Sequence, residues 1–507
     1  MYSYKPGCTF QTLEDIKGKN IVVMGLGLNG GGEACVRFFL RHGANVLATD
    51  MKTAEQLQPT IKKLSDDPEI DTSRLQYRLG EHKTEDFQNA DCVIKNPGVK
   101  IEGNKYLAAA KNIETDISIF LHFTKAPLIA VTGSKGKSST VSAINYGLNK
   151  AGFTAFLGGN ITVSPLTFLE QTNEKTPVVL ELSSWQLADL RGRNALKPKI
   201  CIITKIVPDH QNWYHAMEPY VADKRLIYAD QTSSDYSIFD FEGDEPGTGP
   251  ESGGTWGDFF AAETKGTVLR YAKSKLPEGI FGVYQDKDPD GTFRGMAILP
   301  GMKEPETILK NLIVPGEHMK INALNAALVL RLMGVPSTQC VEIMSTWPGI
   351  DHRLQFFHEY KNKAGGTFRF YNDSCATVPE AAAAASQSFG KPVYLLTGGT
   401  DKGLELTPLA ETLSRKIKNS IPAKSLYLLK GSATDKIIPE LDSENVSYSG
   451  PFASLNEMLS ALKNEIENST QKDEIVVFSP GATSFGMFAN EFDRGNKFMQ
   501  SVKEIFK

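Results

Sequence analysis

Three times along the chain, a short aliphatic or β-branched run ends on glycine or a small polar residue and gives way to a helical pattern. Runs of this kind are strands buried on both faces, and a chain that alternates them with helices folds as α/β units around parallel sheets. The first series has a strand at 20–25, a helix at 33–42, and further strands at 45–49 and 91–94. The second begins with a strand at 127–131, adds strands at 177–181 and 199–203, and closes with a helix at 321–333. The third has strands at 367–371, 392–396, 425–429 and 474–478, with amphipathic helices such as 455–466 between them.

A chain of 507 residues is too long for one core, at ~100 to 200 residues per domain. The points where new strand series begin predict three α/β domains, at 1–116, 117–349 and 350–507. Residues 241–261, rich in Gly, Pro and acids, read as an exposed loop inserted in the second domain. Beyond it, the run from Thr267 and the two runs flanking Asp288 to Gly291 read as antiparallel strands around a turn.

Fifty-five Lys and Arg against 59 Asp and Glu give no general attraction for polyanions, so nucleic acid is not an expected partner. The first residues hold no apolar leader and no run approaches the roughly 18 apolar residues that span a bilayer. The expectation is a cytoplasmic protein without a membrane partner. Six cysteines (Cys8, Cys35, Cys92, Cys201, Cys340 and Cys375) stand singly, a pattern of small buried residues and not of disulfides or zinc.

The segment Gly133-Ser134-Lys135-Gly136-Lys137-Ser138-Ser139 follows a strand and opens a helix. Its backbone N–H groups and the helix N-terminus can cradle phosphate oxygens, Lys137 can meet the β- and γ-phosphates, and Ser138 can ligate magnesium. Only two residues separate Gly133 from Gly136, shorter than the usual phosphate-loop spacing. Earlier, Gly25-Leu-Gly27-Leu28-Asn29-Gly30 follows a strand, and Asp50 stands twenty residues later. That pattern suits any nucleoside diphosphate, with the acid on a ribose or base, and it leaves an NAD-dependent dehydrogenase open as an alternative.

Glu181 ends a buried strand, where a carboxylate is costly unless a cation meets it. Asp209 and His210 follow the strand at 199–203, at the same predicted sheet edge as Ser138 and Glu181, so the group reads as a magnesium site. Lys224, on a helical run, would in isolation be a surface charge.

Taken together the motifs resemble those of the Mur ligases. The resemblance rests on GLGLNG, NPG at 96–98, TGSKGKSS, LGGNI at 157–161, ELSSWQL, PDH, ADK at 222–224, GEHMKINALNAA at 316–327, HR at 352–353, NDSCAT at 372–377, GGTDKG at 398–403, SPGATSF and DRGNKF. It spans nearly the whole chain and implies a Rossmann-like N-terminal domain for a UDP-sugar, a central ATPase domain and a C-terminal Rossmann-like domain. It implies an ATP-dependent ligase, expected to be a monomer, that adds D-glutamate to UDP-N-acetylmuramoyl-L-alanine through an acyl phosphate in peptidoglycan precursor synthesis. Another amino acid, such as L-glutamate, is the alternative within the family.

By that resemblance Ser138, Glu181, His210 and a carbamylated Lys224 would hold two magnesium ions, with Lys137, Glu181, His210 and Lys224 carrying the chemistry. Asn322, Arg353 and Asp373 would join residues 133–139 in gripping ATP. Leu28, Asn29 and Asp50 would meet the uridine, Asn160 and Ser183 the muramoyl-alanine part, and Thr377, Lys402, Ser484 and Phe485 the glutamate. Two departures stand out: Cys375 occupies a position that is often Lys in the family, and the segment 232–315 is longer than usual.

Overall fold

The computed structural model describes residues 3–161, 163–243, 249–251, 253–414 and 416–507. Its strands form three sheets. In the first, β1 (Asn20–Met24), β2 (Asn45–Asp50), β3 (Leu75–Leu79), β4 (Cys92–Lys95) and β5 (Ile113–Glu114) lie in the order 3-2-1-4-5, parallel throughout. The order reverses between β1 and β4, which opens a crevice beyond their carboxyl ends.

The second sheet comprises β6 (Leu128–Thr132), β7 (Phe156–Gly159), β8 (Val178–Glu181), β9 (Ile200–Ile203), β10 (Tyr236–Asp240), β11 (Thr267–Ala272), β12 (Gly282–Lys287), β13 (Phe293–Ile298) and β14 (Glu306–Lys310). Its order is 14-13-12-11-10-9-6-8-7. Strands β6, β8 and β9 are buried along their full length, as their unbroken aliphatic runs require of a sheet covered on both faces. Because β6 lies between β8 and β9, the turns after all three open at one edge.

The third sheet holds β15 (Gln355–Lys361), β16 (Thr367–Asn372), β17 (Tyr394–Gly398), β18 (Ser425–Leu429), β19 (Ser449–Phe452) and β20 (Asp473–Phe478), in the order 15-16-20-17-18-19. Only the β15–β16 pair is antiparallel.

The chain gathers into two compact units. Residues up to 310 together with 321–344 form one, which contains the first two sheets, and residues 311–320 with 345–507 form the other. No helix among the described residues is long and apolar enough to cross a membrane.

Two expectations are corrected. The strand from Thr267 is not antiparallel: β11 runs parallel to β10 and β12, and only the hairpin β12–β13 and its neighbour β14 are antiparallel. The Gly- and Pro-rich stretch also ends sooner than composition indicates. Thr255 accepts a hydrogen bond from Asp258 N at 3.0 Å and so caps a helix, Trp256–Glu263, that buries Trp256 and Phe260; three aromatic residues within five positions outweigh the poor helix formers before them. Residues 244–248 and 252 of the expected loop lie outside the described residues. Four of the six free cysteines are buried, and Cys8 and Cys375 are partly so.

Candidate active site

Residues 133–139 turn from β6 into the helix Lys137–Lys150. Gly133 and Gly136 have φ of 140° and 93°, and neither has room for a side chain. A Cβ on Gly133 would lie 2.0 Å from Thr204 Oγ1 and one on Gly136 2.6 Å from Asn322 Oδ1. Glycine is therefore demanded twice, by conformation and by space. Ser134 braces the turn: its N–H donates to Lys205 O at 2.8 Å and its hydroxyl to Val207 O at 2.8 Å. Lys135 is exposed, and Ser138 and Ser139 are half-buried in the first helical turn.

Two ammonium groups converge on this turn. Lys137 Nζ donates to Gly133 O and Ser134 O, both at 3.0 Å. Lys224 is not the surface charge its helix would suggest. It is 2% exposed, donates to the same Gly133 O at 2.8 Å, and lies 4.5 Å from the centre of the Tyr220 ring. Burial, and then the charge of Lys137, hold the Lys224 amine well below its ordinary pKa; burial likewise lowers Lys137. Desolvation disfavours each ammonium, and at Lys224 the nearby charge of Lys137 adds to it.

Glu181, at the end of β8 and 2% exposed, supplies part of the balancing charge. Its Oε1 accepts from Asn160 Nδ2 at 2.9 Å, while Oε2 is buried with no hydrogen-bond partner. Asn160 is itself fixed by its N–H on Glu181 O at 2.8 Å. Ser183 caps the helix Ser184–Ala188 by accepting from Gln186 N. His210, with φ of 50°, is exposed, its ring 4.9 Å from that of Trp185. Asp209 beside it is the group whose charge bears on both lysines, a role its place after a strand hinted at but did not separate from that of His210.

At the first sheet, Gly25, Gly27 and Gly30 all have positive φ and lead into the helix Gly31–Arg41. Asp50 is 7% exposed, and its two oxygens accept from Gly27 N and Lys52 N, each at 2.9 Å. It shapes the glycine turn directly, whatever else it contacts. Leu28, 50% exposed, and Asn29, also exposed, stand at the tip of that turn.

In the second unit the loops after β16, β20 and β17 share one sheet edge. Asp373 is buried, accepting from Ser479 Oγ at 2.6 Å and from Leu354 N at 3.1 Å; burial pushes its carboxyl up to about 7, against the pull of Arg353 and Arg494. Thr377 is half-buried and Ser484 buried, whereas Arg353, Lys402 and Phe485 are exposed. Thr400 Oγ1 donates to Phe485 O at 2.6 Å. A residue that the sequence did not single out ties these loops together. Arg494, 1% exposed, donates to Ser374 O at 2.7 Å and Ala482 O at 2.9 Å.

Comparison with known proteins decides the family. Residues 19–118 match the domain family described as Mur ligase MurD-like, N-terminal domain, and residues 131–247 match the Mur ligase middle domain. The UDP-N-acetylmuramoylalanine--D-glutamate ligase of Treponema pallidum (strain Nichols) is 39% identical over 97% of this chain and 99% of its own. The chain belongs to the Mur ligase family. The ligase of the same name from Borreliella burgdorferi (strain ZS7) is 35% identical over the same shares. Among solved structures, MurF from Acinetobacter baumannii aligns with a TM-score of 0.56 at 13% identity, covering 99% of this chain and 100% of that one. MurC from Thermotoga maritima aligns at 0.52 and 16% identity, covering 96% and 99%. Those two likenesses concern the fold, and they place this Mur ligase's parallel-rich sheets in a known architecture.

Proposed function

We propose that this Mur ligase joins D-glutamate to UDP-N-acetylmuramoyl-L-alanine at the expense of ATP, as a cytoplasmic step of peptidoglycan precursor synthesis. The observation that supports it most is local: two lysines share the carbonyl of Gly133 at 3.0 and 2.8 Å, beside a carboxylate with a buried, unpartnered oxygen. Such a turn is short of anions on one side and of a cation on the other, which is what a nucleotide triphosphate and its metal would provide.

The donor set fits magnesium. Ser138, Glu181 through Oε2, His210 and Lys224 as a carbamate would hold it. No group of three His, Cys, Asp or Glu side chains suited to a metal occurs among the described residues, in keeping with a cation that keeps phosphate oxygens among its ligands. When bound it would neutralise charge on the phosphoryl group. The neutral amine is the form that adds carbon dioxide, and burial shifts Lys224 toward that form, which favours carbamylation.

The chemistry then follows from electrostatics. A carboxylate oxygen of the UDP-sugar attacks the γ-phosphorus, the bond to ADP breaks, and an acyl phosphate results. The amine of D-glutamate attacks the acyl carbon, loses a proton and expels inorganic phosphate. Lys137 draws together the two anions of the first step. The reading assigns 1–116 to the UDP-sugar, 117–349 to ATP and 350–507 to the amino acid, with Asn322, Arg353 and Asp373 on the nucleotide and Thr377, Lys402, Ser484 and Phe485 on glutamate. The test is release of phosphate from ATP with each substrate omitted in turn; release that does not require both UDP-N-acetylmuramoyl-L-alanine and an amino acid refutes the ligase reading.

A further inference from the structure

Lys95 ends β4 at the switch point of the first sheet and is 3% exposed. Three groups surround its ammonium: Asn96 O at 3.1 Å and Val99 O at 2.9 Å accept hydrogen bonds, and a carboxylate oxygen of Asp189 forms an ion pair with it at 2.8 Å. The first two belong to the loop that carries the Asn-Pro-Gly sequence of residues 96–98. The third belongs to the residue that caps the C-terminus of the helix Ser184–Ala188, six positions after the N-cap Ser183, in the segment that continues from Glu181. The loop also flanks the glycine turn of β1, since a Cβ on Gly25 would lie 3.0 Å from Asn96 Cβ. It thus walls the crevice where a nucleotide-sugar binds an open parallel sheet.

Beneath the loop is a cavity of about 280 Å³, lined by Pro97, Val99 and Ile101 on one side and Trp185 and Trp213 on the other. Apolar packing does not close that gap. Lys100, with its ammonium 5.1 Å from the centre of the Trp213 ring, spans it through a cation–π contact, a weaker restraint than a buried ammonium held by two carbonyls and a carboxylate.

We propose that Lys95 is a positioning residue for the UDP-sugar: paired with Asp189, it fixes the 96–99 wall of the switch-point crevice against the element that continues from Glu181. The inference rests on the ligase reading for the identity of the sugar nucleotide. It goes beyond that reading in naming a residue that sets the distance between the two ends of one substrate, the nucleotide at the first sheet and the carboxyl group at the second.

A pair that merely stabilised the fold would behave differently. Removing one partner strands a buried charge, whereas replacing both by apolar residues is often neutral for stability. The variant Lys95→Met/Asp189→Leu should therefore retain thermal stability and its calorimetric Kd for ADP within twofold, while its Kd for UDP-N-acetylmuramoyl-L-alanine rises at least tenfold. Lys95→Arg, which keeps charge and donors, should recover most of that loss. An unchanged Kd for the sugar nucleotide, or an equal weakening of ADP, overturns the proposal. Because binding is read directly, absence of turnover in the wild type would count against the ligase reading alone.

Asp189→Asn gives a second readout that does not depend on the double variant folding. Lys95, Arg193 and Tyr4 face Asp189, and Lys100, Glu102, Arg191 and Asp223 share its cavity. Burial raises the Asp189 carboxyl to about 6, so sugar-nucleotide binding in the wild type should weaken as pH falls through 6. Asp189→Asn should hold the weaker value from pH 5 to 8. If both proteins show the same pH profile and Kd, Lys95 and Asp189 do not position this substrate.

Discussion

Lys137 and Lys224 donate to one carbonyl oxygen, that of Gly133, at 3.0 and 2.8 Å. Burial lowers the pKa of both ammonium groups, and the charge of Lys137 lowers that of Lys224 further. The arrangement is relieved when an anion enters between them or when one lysine becomes an anion itself. Each relief corresponds to a different prediction.

For Lys137, the anion is phosphate. Lys137→Ala should reduce turnover at least ~10³-fold, since loss of a preorganised phosphate-clamping charge costs about 3 to 4 kcal/mol of transition-state stabilisation or more. The calorimetric Kd for UDP-N-acetylmuramoyl-L-alanine should stay within twofold. Turnover near the wild-type value would remove the phosphate-loop assignment of residues 133–139.

For Lys224, the anion is its own carbamate. Lys224→Ala should be inactive and should regain part of its activity in millimolar formate or acetate, small carboxylates that restore an anionic oxygen to the vacated space. Full activity of the variant without any additive would show that Lys224 has no part in the reaction.

These two lysines also mark how far the sequence alone carries the reading. The strand-then-glycine pattern made the three parallel-rich sheets legible, because strands buried on both faces must be continuous aliphatic runs. Strands such as β3, with no fully buried residue, and β7, with two glycines among its four residues, carry no such signal. The phosphate turn was legible from its own residues. The burial of Lys224 was not, since only the packing of its helix against the turn after β6 brings its ammonium to Gly133; the family motif pointed there, and helical periodicity did not. Arg494 escaped notice for a related reason: two of its acceptors are backbone carbonyls of loops 120 and 12 positions away, and a backbone acceptor leaves no mark in residue type.

Asp373 yields a pH prediction. Its carboxyl titrates near 7 in the folded chain against an ordinary 3.8, so between those values the native state holds a proton that the unfolded chain has released. Stability contributed by this group is therefore greatest below about pH 4, falls as pH rises, and is lost above 7. Asp373→Asn removes a penalty of about 4 kcal/mol by the same linkage. The variant's midpoint of urea unfolding should exceed that of the wild type at pH 8 and approach it at pH 4.5. An equal difference at both pH values would mean that Asp373 does not titrate in this range.

The choice of amino acid depends on the second unit. Lys402 is exposed in the loop after β17, while Asp401 beside it is already engaged by Gly403 N and Leu404 N and by an ion pair with Lys436. The neighbouring carboxylate is thus occupied by other partners, and exposed Lys402 is assigned to a carboxylate of the incoming amino acid, with Thr377 and Ser484 supplying hydroxyls. A cation that is desolvated when substrate binds rejects a neutral analogue, because its charge is then left unpaired. In a ligation assay with D-glutamate, L-glutamate, D-glutamine, L-alanine and L-lysine at equal concentration, kcat/KM should be highest for D-glutamate and at least ~10²-fold lower for D-glutamine. Lys402→Met should narrow the gap between D-glutamate and D-glutamine to within tenfold, mainly by lowering the rate with D-glutamate. Preference for L-glutamate would keep Lys402 on a substrate carboxylate and change the handedness of the site, whereas preference for L-alanine or L-lysine would remove Lys402 from the substrate site altogether.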